Sequence, residues 1–212
     1  EDRGLSAAAL RDAFLVGAEA SIRLGVVLGQ RHYDHGFHQT ATAGCFGASV
    51  AAGRLLDLGP QRLRMALSLA STRASGLKAQ FGTMGKPYNA GIAAANGVEA
   101  ALLAERGFIS CDDGLGAAQG FLATHAATAA DWPAADGLLF EDIKHKFHAC
   151  CHGTHAMIEA LQKLMTQRAI APDAIASIEV RVNPRWLKVC DIKAPRSGLE
   201  IVNSRATRSR RR

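Results

Sequence analysis

The run ATAGCFGASVAAG, from Ala41 to Gly53, is the part of the sequence that most limits what this chain can fold into. Alanine and glycine also dominate the hydrophobic residues, which make up 48% of the chain, while aromatic residues make up 6%. Small side chains let helix backbones come close together, whereas a sandwich of bulky strands would need more aromatic and β-branched residues. The sequence therefore predicts a core of closely packed helices.

Hydrophobic periodicity predicts four helices in the first half of the chain, over about residues 7–24, 40–58, 60–74 and 89–106. Ser6 is a suitable N-cap for the first of them, and Gly59-Pro60 separates the second from the third. Glycine and polar residues cluster without periodicity over 29–38 and 76–88, which predicts loops. One or two short helices are expected between residues 108 and 140.

The pattern changes after residue 141. Residues 144–147 are predicted to form a short strand, and residues 152–167 have helical spacing. The alternation IASIEVRV, over 175–182, is the clearest strand signal in the chain. The predicted fold class is mainly α, with an alanine- and glycine-rich helical domain over 1–140, the beginning of a small α+β domain over 141–200, and a basic tail over 201–212 that is expected to be disordered.

The net charge of +6 comes from the C-terminal tail rather than from the body of the chain. Five arginines lie between residues 201 and 212, and the remaining 20 basic residues nearly balance 19 acidic ones. A nucleic-acid-binding domain would carry its basic residues on the folded surface, interleaved with stacking aromatic side chains. Binding to nucleic acid is therefore not expected.

The cysteines do not suggest a disulfide framework. They are five in number, and two of them, Cys150 and Cys151, are adjacent. The sequence has neither a secretory signal nor an apolar run of membrane-spanning length. We therefore expect a cytoplasmic protein that does not bind membranes.

Three segments combine titratable side chains with small residues: 31–40 around His38, 85–89 around Lys86, and 146–155 around Lys146. Lys86 lies where a helix is expected to begin, so its ammonium group and the free N–H groups of the first turn could hold an anion. His38 can titrate near neutral pH and act as an acid or a base. We predict that the three segments meet in one pocket that binds a polyanion and moves protons.

Simpler explanations exist for the same residues. The histidines at 32, 35 and 38, and those at 145, 148, 152 and 155 beside the two adjacent cysteines, have the types and spacings of metal ligands, but neither set matches a tight signature. A lysine such as Lys78 or Lys144 is usually a solvated surface charge. Cys150 and Cys151 are most simply small buried hydrophobic residues, with a nucleophilic role as the alternative.

Many short motifs occur in an order that resembles one enzyme family. They include Gly36-Phe37-His38, Ala66-Leu67-Ser68-Leu69-Ala70, Ala74-Ser75-Gly76, Gly85-Lys86-Pro87, Lys146-x-x-Ala-Cys-Cys151 and His155-Ala-x-Ile-Glu-Ala160. Each motif is weak alone, but their order over about residues 5–200 resembles the MmgE/PrpD family. That family includes 2-methylcitrate dehydratase, cis-aconitate decarboxylase and iminodisuccinate epimerase.

The resemblance implies an enzyme that needs no cofactor and acts on a small di- or tricarboxylate, with a dehydratase or other lyase favoured over an epimerase or a decarboxylase. It also implies a large helical domain, a smaller α+β lid, an active site between them, and a homodimer. Catalytic positions of the family fall on His38, Lys86 and Lys146, and substrate-binding positions on Asn89, Cys151 and His155. Asn89 and Cys151 stand where the decarboxylase branch has histidines, which leaves the substrate open.

Family members are much longer than this chain, and the segment IVNSRATRSRRR, at 201–212, replaces the strand that the family has there. The sequence is therefore expected to be an internal piece that keeps part of the active site, with its activity on its own left open. The alternatives are a non-catalytic remnant that binds a partner or itself and, less favoured, a metal protein that uses histidine and cysteine.

Overall fold

The structure is a computed structural model that describes residues 4–125, 132–134, 136–184, 192, 196 and 198. It is mainly helical, as the sequence predicts. The helices in this described part are α1 (Ala7–Asp34), α2 (Gln39–Leu55), α3 (Pro60–Arg73), α4 (Gly85–Glu105), α5 (Phe121–Thr124) and α6 (His152–Gln167). Short 3₁₀ turns cover Lys78–Gln80, Leu139–Asp142 and Pro172–Ala174.

The chain forms two compact units. The first consists of Glu1–Ala79 and Gly85–Ile143 and contains α1 to α5, and the second consists of Gln80–Met84 and Lys144–Arg212 and contains α6. No helix within the described ranges is long and apolar enough to cross a lipid bilayer. The predicted basic tail over 201–212 lies outside the described residues.

Glycines bring α1 and α2 into backbone contact in the first unit. A Cβ atom added at Gly17 would lie 2.6 Å from the carbonyl oxygen of Gly47, and one added at Gly47 would lie 2.5 Å from the carbonyl oxygen of Gly17. Real Cβ atoms do not approach other atoms so closely, because van der Waals repulsion is steep at these distances. The two helices can therefore pack in this way only while both positions lack a side chain.

A second close contact joins α2 to α4. A Cβ atom at Gly97 would lie 2.4 Å from the carbonyl oxygen of Cys45 and 2.6 Å from both the Ala48 Cβ and the Ser49 nitrogen. Helix α2 therefore lies between α1 and α4 and touches both through small residues. These contacts confirm the closely packed helices that the run from Ala41 to Gly53 predicts.

Helix α1 bends at Gly29, where the backbone has φ 57° and ψ −162°. Glycine adopts a positive φ at little cost. The Gln39 side chain of α2 donates hydrogen bonds to the carbonyl oxygens of Gly25 (3.2 Å) and Gly29 (3.1 Å), so it supplies N–H groups where the helix is interrupted. The predicted loop over 29–38 is thus wrong for residues 30–34, which continue α1 beyond the bend.

The second unit differs from the prediction in its strands. Residues 152–167 form a helix as predicted, but residues 144–147 and the described segment 175–183 contain no strand. A β-strand is stable only when neighbouring strands satisfy its backbone hydrogen bonds. Among the described residues no second strand pairs with 175–182, so alternation of side chains alone does not produce a sheet here.

Glu19 and Arg23 of α1 hold the segment that follows residue 132. Burial by itself would raise the pKa of the Glu19 carboxyl, but hydrogen bonds from the backbone N–H groups of Leu139 (3.1 Å) and Phe140 (2.8 Å) and from Arg23 (2.7 Å) bring its pKa below the ordinary value. Arg23 also donates to the carbonyl oxygens of Ala134 and Gly137. This ion pair therefore fastens a distant segment to α1.

We expect Glu19→Gln to lower the free energy of unfolding by about 1–3 kcal/mol at pH 7, because it leaves three half-buried donors without a charged acceptor. The folded-state pKa of Glu19 is depressed, so its contribution is complete above the unfolded-state pKa, near 4.5, and is lost as the pH falls through the folded-state pKa. Denaturant titrations across this pH range should show the difference between wild type and variant shrinking in acid.

The matched control is Asp12→Asn, which removes an exposed carboxylate on the same helix that pairs with the adjacent Arg11. Such an exposed pair contributes little, so this change should alter stability by less than about 0.5 kcal/mol. If Glu19→Gln behaves like Asp12→Asn, or if its effect does not depend on pH, the Glu19 contacts do not stabilise the fold as described.

Candidate active site

His38 is the N-cap residue of α2, and both its backbone N–H and its backbone carbonyl form hydrogen bonds. Its N–H donates to the carbonyl oxygen of Gly76 (2.9 Å), and its own carbonyl accepts from the N–H groups of Ala41 (2.8 Å) and Thr42 (3.1 Å). An N-cap carbonyl accepts the first hydrogen bonds of its helix, so this geometry follows from the position. The imidazole is half-buried and lies beside the first turn of α2.

Gly76 brings a second loop against this histidine. Its φ is +137°, and a Cβ atom there would lie 2.3 Å from the Ala41 Cβ. Glycine is required both by the backbone conformation and by the close approach. An isolated β-bridge between Phe37 and Leu77 joins the same two loops. The sequence predicts only a loop that begins at Gly76, and it gives no sign that this loop contacts His38.

The side chain of Asn89 connects His38 to that loop. Asn89 is buried in α4, and its Nδ2 atom lies 3.2 Å from His38 Nδ1 and 3.2 Å from the carbonyl oxygen of Leu77. The structure therefore brings together two predicted site residues that are 51 positions apart in the sequence.

Lys86 lies in the first turn of α4, three residues before Asn89 and so on the same side of the helix. Burial lowers the pKa of the His38 imidazole below its ordinary value, and the positive charge of Lys86 lowers this pKa further. Both effects favour the neutral imidazole at neutral pH. The first unit thus contains a histidine that favours its neutral form near a lysine at the N-terminus of a helix, where the helix dipole favours negative charge.

The other two histidines of the 31–40 segment have different surroundings. His32 is fully buried; its Nδ1 donates to the carbonyl oxygen of His125 (3.1 Å) and its Nε2 accepts from the Thr42 hydroxyl (2.9 Å). Burial lowers the pKa of His32, so it stays neutral within the core. His35 is exposed and bonds to a carbonyl of its own helix. No group of three potential metal ligands occurs among the residues that the structure describes.

Lys78 is not the solvated surface charge that the sequence suggests. Its Nζ donates to the carbonyl oxygen of Tyr33 (2.6 Å) and lies 3.5 Å from the centre of the Tyr33 ring. Its backbone N–H donates to the carbonyl oxygen of Gly36 (2.8 Å). A lysine above an aromatic face gains a cation–π contact, so Lys78 fastens its loop to the end of α1.

The remaining predicted site residues belong to the second unit. The Lys146 side chain is exposed and donates to the carbonyl oxygen of Cys150 (3.3 Å). Cys151 is the N-cap residue of α6, and its carbonyl accepts from the Thr154 hydroxyl (2.6 Å). The Nε2 atom of His155 is buried and has no hydrogen-bond partner within the described part of the chain. Convergence of Lys146 with His38 and Lys86 stays a prediction.

A cleft of about 620 Å³ lies in the first unit between α3 and residues 110–125, and none of the six predicted site residues lines it. Several hydroxyl groups face it, but the chain itself uses them. The Ser68 hydroxyl accepts from the N–H of Gly114 (3.1 Å), and the Ser71 hydroxyl donates to the carbonyl of Ser68 (2.6 Å).

Comparison with known proteins matches the two parts of the chain to two domains of one family. The MmgE/PrpD N-terminal domain model matches residues 1–132, and the MmgE/PrpD C-terminal domain model matches residues 148–204. The first match alone covers more than half of the 212 residues.

Relatives found among curated proteins carry one activity in their names. A cis-aconitate decarboxylase of Aspergillus terreus is 33% identical over 165 residues, which cover 72% of this chain and 34% of that protein. The cis-aconitate decarboxylase of Homo sapiens is 30% identical over 159 residues, which cover 69% of this chain and 32% of that protein. The chain spans about a third of the length of these relatives. It belongs to the MmgE/PrpD family.

Proposed function

We propose that this chain supplies the anion-binding and proton-handling part of a lyase that acts on a small tricarboxylate. Family membership and the names of the relatives support a carboxylate as the substrate. The observation that carries the proposal is the position of His38 near Lys86 at the N-terminus of α4, where burial and the Lys86 charge lower the pKa of the imidazole. A cation at the N-terminal end of a helix suits a carboxylate, because the helix dipole there favours negative charge, and an adjacent imidazole can donate a hydrogen bond to the charge that develops.

The chemistry of such substrates requires these two functions together. When a tricarboxylate loses CO₂, or loses a proton and hydroxide as water, negative charge develops on a carbon next to a remaining carboxylate and spreads onto its oxygens. Fixed positive charge near those oxygens stabilises this enolate-like state. In the proposal Lys86 holds a carboxylate, and the His38 imidazole lies beside the reacting carbon.

The reaction within this class is proposed from the residues that depart from the decarboxylase pattern. Asn89 and Cys151 stand where the decarboxylase branch has histidines, so we favour dehydration of a hydroxy-tricarboxylate of the 2-methylcitrate type. Homodimerisation and a cytoplasmic location are further parts of the proposal. Incubation with 2-methylcitrate and with cis-aconitate distinguishes the two reactions, because only decarboxylation releases CO₂.

The anion site can be tested by binding as well as by turnover. Lys86→Met should weaken the binding of cis-aconitate or citrate by about 10- to 100-fold in isothermal titration calorimetry, because a hydrogen bond to a charged group contributes about 1.5–3 kcal/mol. The matched control is Lys163→Met, which removes an exposed lysine of α6. Equal binding by wild type and the Lys86 variant would rule out Lys86 as the carboxylate-binding group.

A further inference from the structure

The orientation of the Asn89 amide is determined by its two neighbours. The amide nitrogen lies 3.2 Å from the carbonyl oxygen of Leu77, and a carbonyl can only accept a hydrogen bond. Turning the amide around would place two oxygen atoms against each other. The NH₂ group therefore faces Leu77, and its second hydrogen points to His38 Nδ1, also at 3.2 Å.

This orientation determines the protonation of the imidazole. An N–H donor needs an acceptor, so His38 Nδ1 must carry its lone pair rather than a proton. A neutral imidazole has one proton, which must then be on Nε2. We propose that Asn89 is a positioning residue that keeps His38 as the Nε2–H tautomer, so that His38 meets a ligand as a hydrogen-bond donor and not as a base. The catalytic meaning of this assignment rests on the proposed function.

The surroundings of His38 agree with a neutral donor. Burial and the nearby charge of Lys86 both keep its pKa below the ordinary value, so a second proton on Nδ1 is disfavoured. Asn89 is itself buried in α4, and both of its amide hydrogens are used within the protein. The sequence analysis names Asn89 as a substrate-binding residue. Its contacts favour a different role, which is to orient His38.

The assignment changes what His38 can do in the reaction. A neutral imidazole that presents Nε2–H can stabilise negative charge that develops on a carboxylate or enolate oxygen. It cannot remove a proton until its own proton moves to Nδ1, the atom that Asn89 occupies. The first event at this residue is therefore the donation of a hydrogen bond to the ligand.

Replacement of Asn89 by aspartate provides a test with a predicted direction. A carboxylate at this position accepts a hydrogen bond, so His38 should place its proton on Nδ1 and become easier to protonate. Long-range ¹H–¹⁵N NMR correlations distinguish protonated from unprotonated ring nitrogens of the labelled 212-residue chain, and the His38→Gln spectrum identifies the signals of His38. We expect Nε2–H in wild type, Nδ1–H in Asn89→Asp, and a higher His38 pKa in that variant.

The matched control is Asn96→Asp, which adds the same charge to the same helix. Asn96 is also buried, but it bonds to Arg73 of α3 and not to a histidine. This change should leave the tautomer of His38 unaltered. If Asn89→Asp does not fold, Asn89→Gln is the second variant, and it should retain Nε2–H because its amide can still donate.

The wild-type spectrum is decisive because it needs neither a variant nor turnover. A proton on Nδ1 of His38, or the same tautomer in wild type and in folded Asn89→Asp, would overturn the assignment. Failure of the proposed function has a different signature: tricarboxylate would bind equally to wild type and to Lys86→Met, whatever the tautomer of His38.

Discussion

Gly97→Ala should lower the free energy of unfolding by about 2–3 kcal/mol, an effect at the upper end of that expected for one added methyl group. The new Cβ atom would lie 2.4 Å from the carbonyl oxygen of Cys45 and 2.6 Å from the Ser49 nitrogen, both in the backbone of α2. A backbone cannot turn aside as a flexible side chain can, so the two helices must separate. Urea denaturation followed by circular dichroism measures the loss.

Gly91 provides the control on the same helix. A Cβ atom there would have no neighbour within 4 Å. Alanine loses less conformational entropy than glycine in a helix, so Gly91→Ala should raise stability by about 0.5–1 kcal/mol. The same substitution is therefore expected to act in opposite directions at two places in α4. A similar small gain at both sites would mean that α2 and α4 are not in backbone contact.

His38→Ala should reduce turnover of the tricarboxylate by about 10²–10³-fold, measured in an intact enzyme of the family, because one fixed hydrogen-bond donor to developing negative charge contributes about that much. The melting temperature should change little, since the half-buried site lets water replace the imidazole as the acceptor for Asn89. Turnover that survives the substitution would remove His38 from the mechanism.

The two neighbouring histidines make this test selective. His32→Ala should cost about 3 kcal/mol of stability, because it leaves a cavity and removes the donor to the His125 carbonyl and the nearest acceptor of the Thr42 hydroxyl. His35→Ala should change neither stability nor turnover, since the side chain is exposed and bonds only to a carbonyl of its own helix. Equal effects at all three positions would contradict the distinct roles assigned to them.

Local patterns in the sequence were sufficient to predict most helices. The apolar spacing of residues 152–167 gives α6 with the bounds it has in the structure, and Pro60 marks the first residue of α3. The sequence predicts that α4 begins at residue 89, four residues after its observed start at Gly85, because Gly85-Lys86-Pro87 resembles a loop. Proline is in fact compatible with the first turn of a helix, where its missing N–H has no partner to lose.

The features that the sequence did not reveal depend on partners far along the chain. The bend at Gly29 is stabilised by Gln39, a side chain of the next helix, so periodicity within α1 could not locate it. Lys78 resembled a surface lysine because nothing nearby in sequence identifies Tyr33 as its partner. Alternation at 175–182 signals strand propensity, but a sheet also needs paired strands, which one segment cannot specify.

For the candidate site, the sequence identifies residues with suitable chemistry but does not show which of them are in contact. His38 and Lys86 stand out from the sequence because an imidazole and a lysine beside small residues have recognisable chemistry. The hydrogen bond that links His38 to Asn89 spans 51 residues and depends on the fold of the loop around Gly76. Only the three-dimensional arrangement reveals that Asn89 faces a histidine.

Helix α4 packs against α2 at Gly97 and carries Lys86 and Asn89 in its first two turns, so a change in its tilt at Gly97 moves these two residues. Gly97 touches α2 about eight residues beyond Asn89, which is roughly 12 Å along the helix axis. A tilt of α4 by about 5° about the Gly97 contact would displace Asn89 by ~1 Å. A misplacement of that size at a catalytic site can lower the rate about 10²-fold. Substitutions in the tightly packed middle of this helix can thus damage catalysis without approaching the substrate, and they would be mistaken for changes in the chemistry itself.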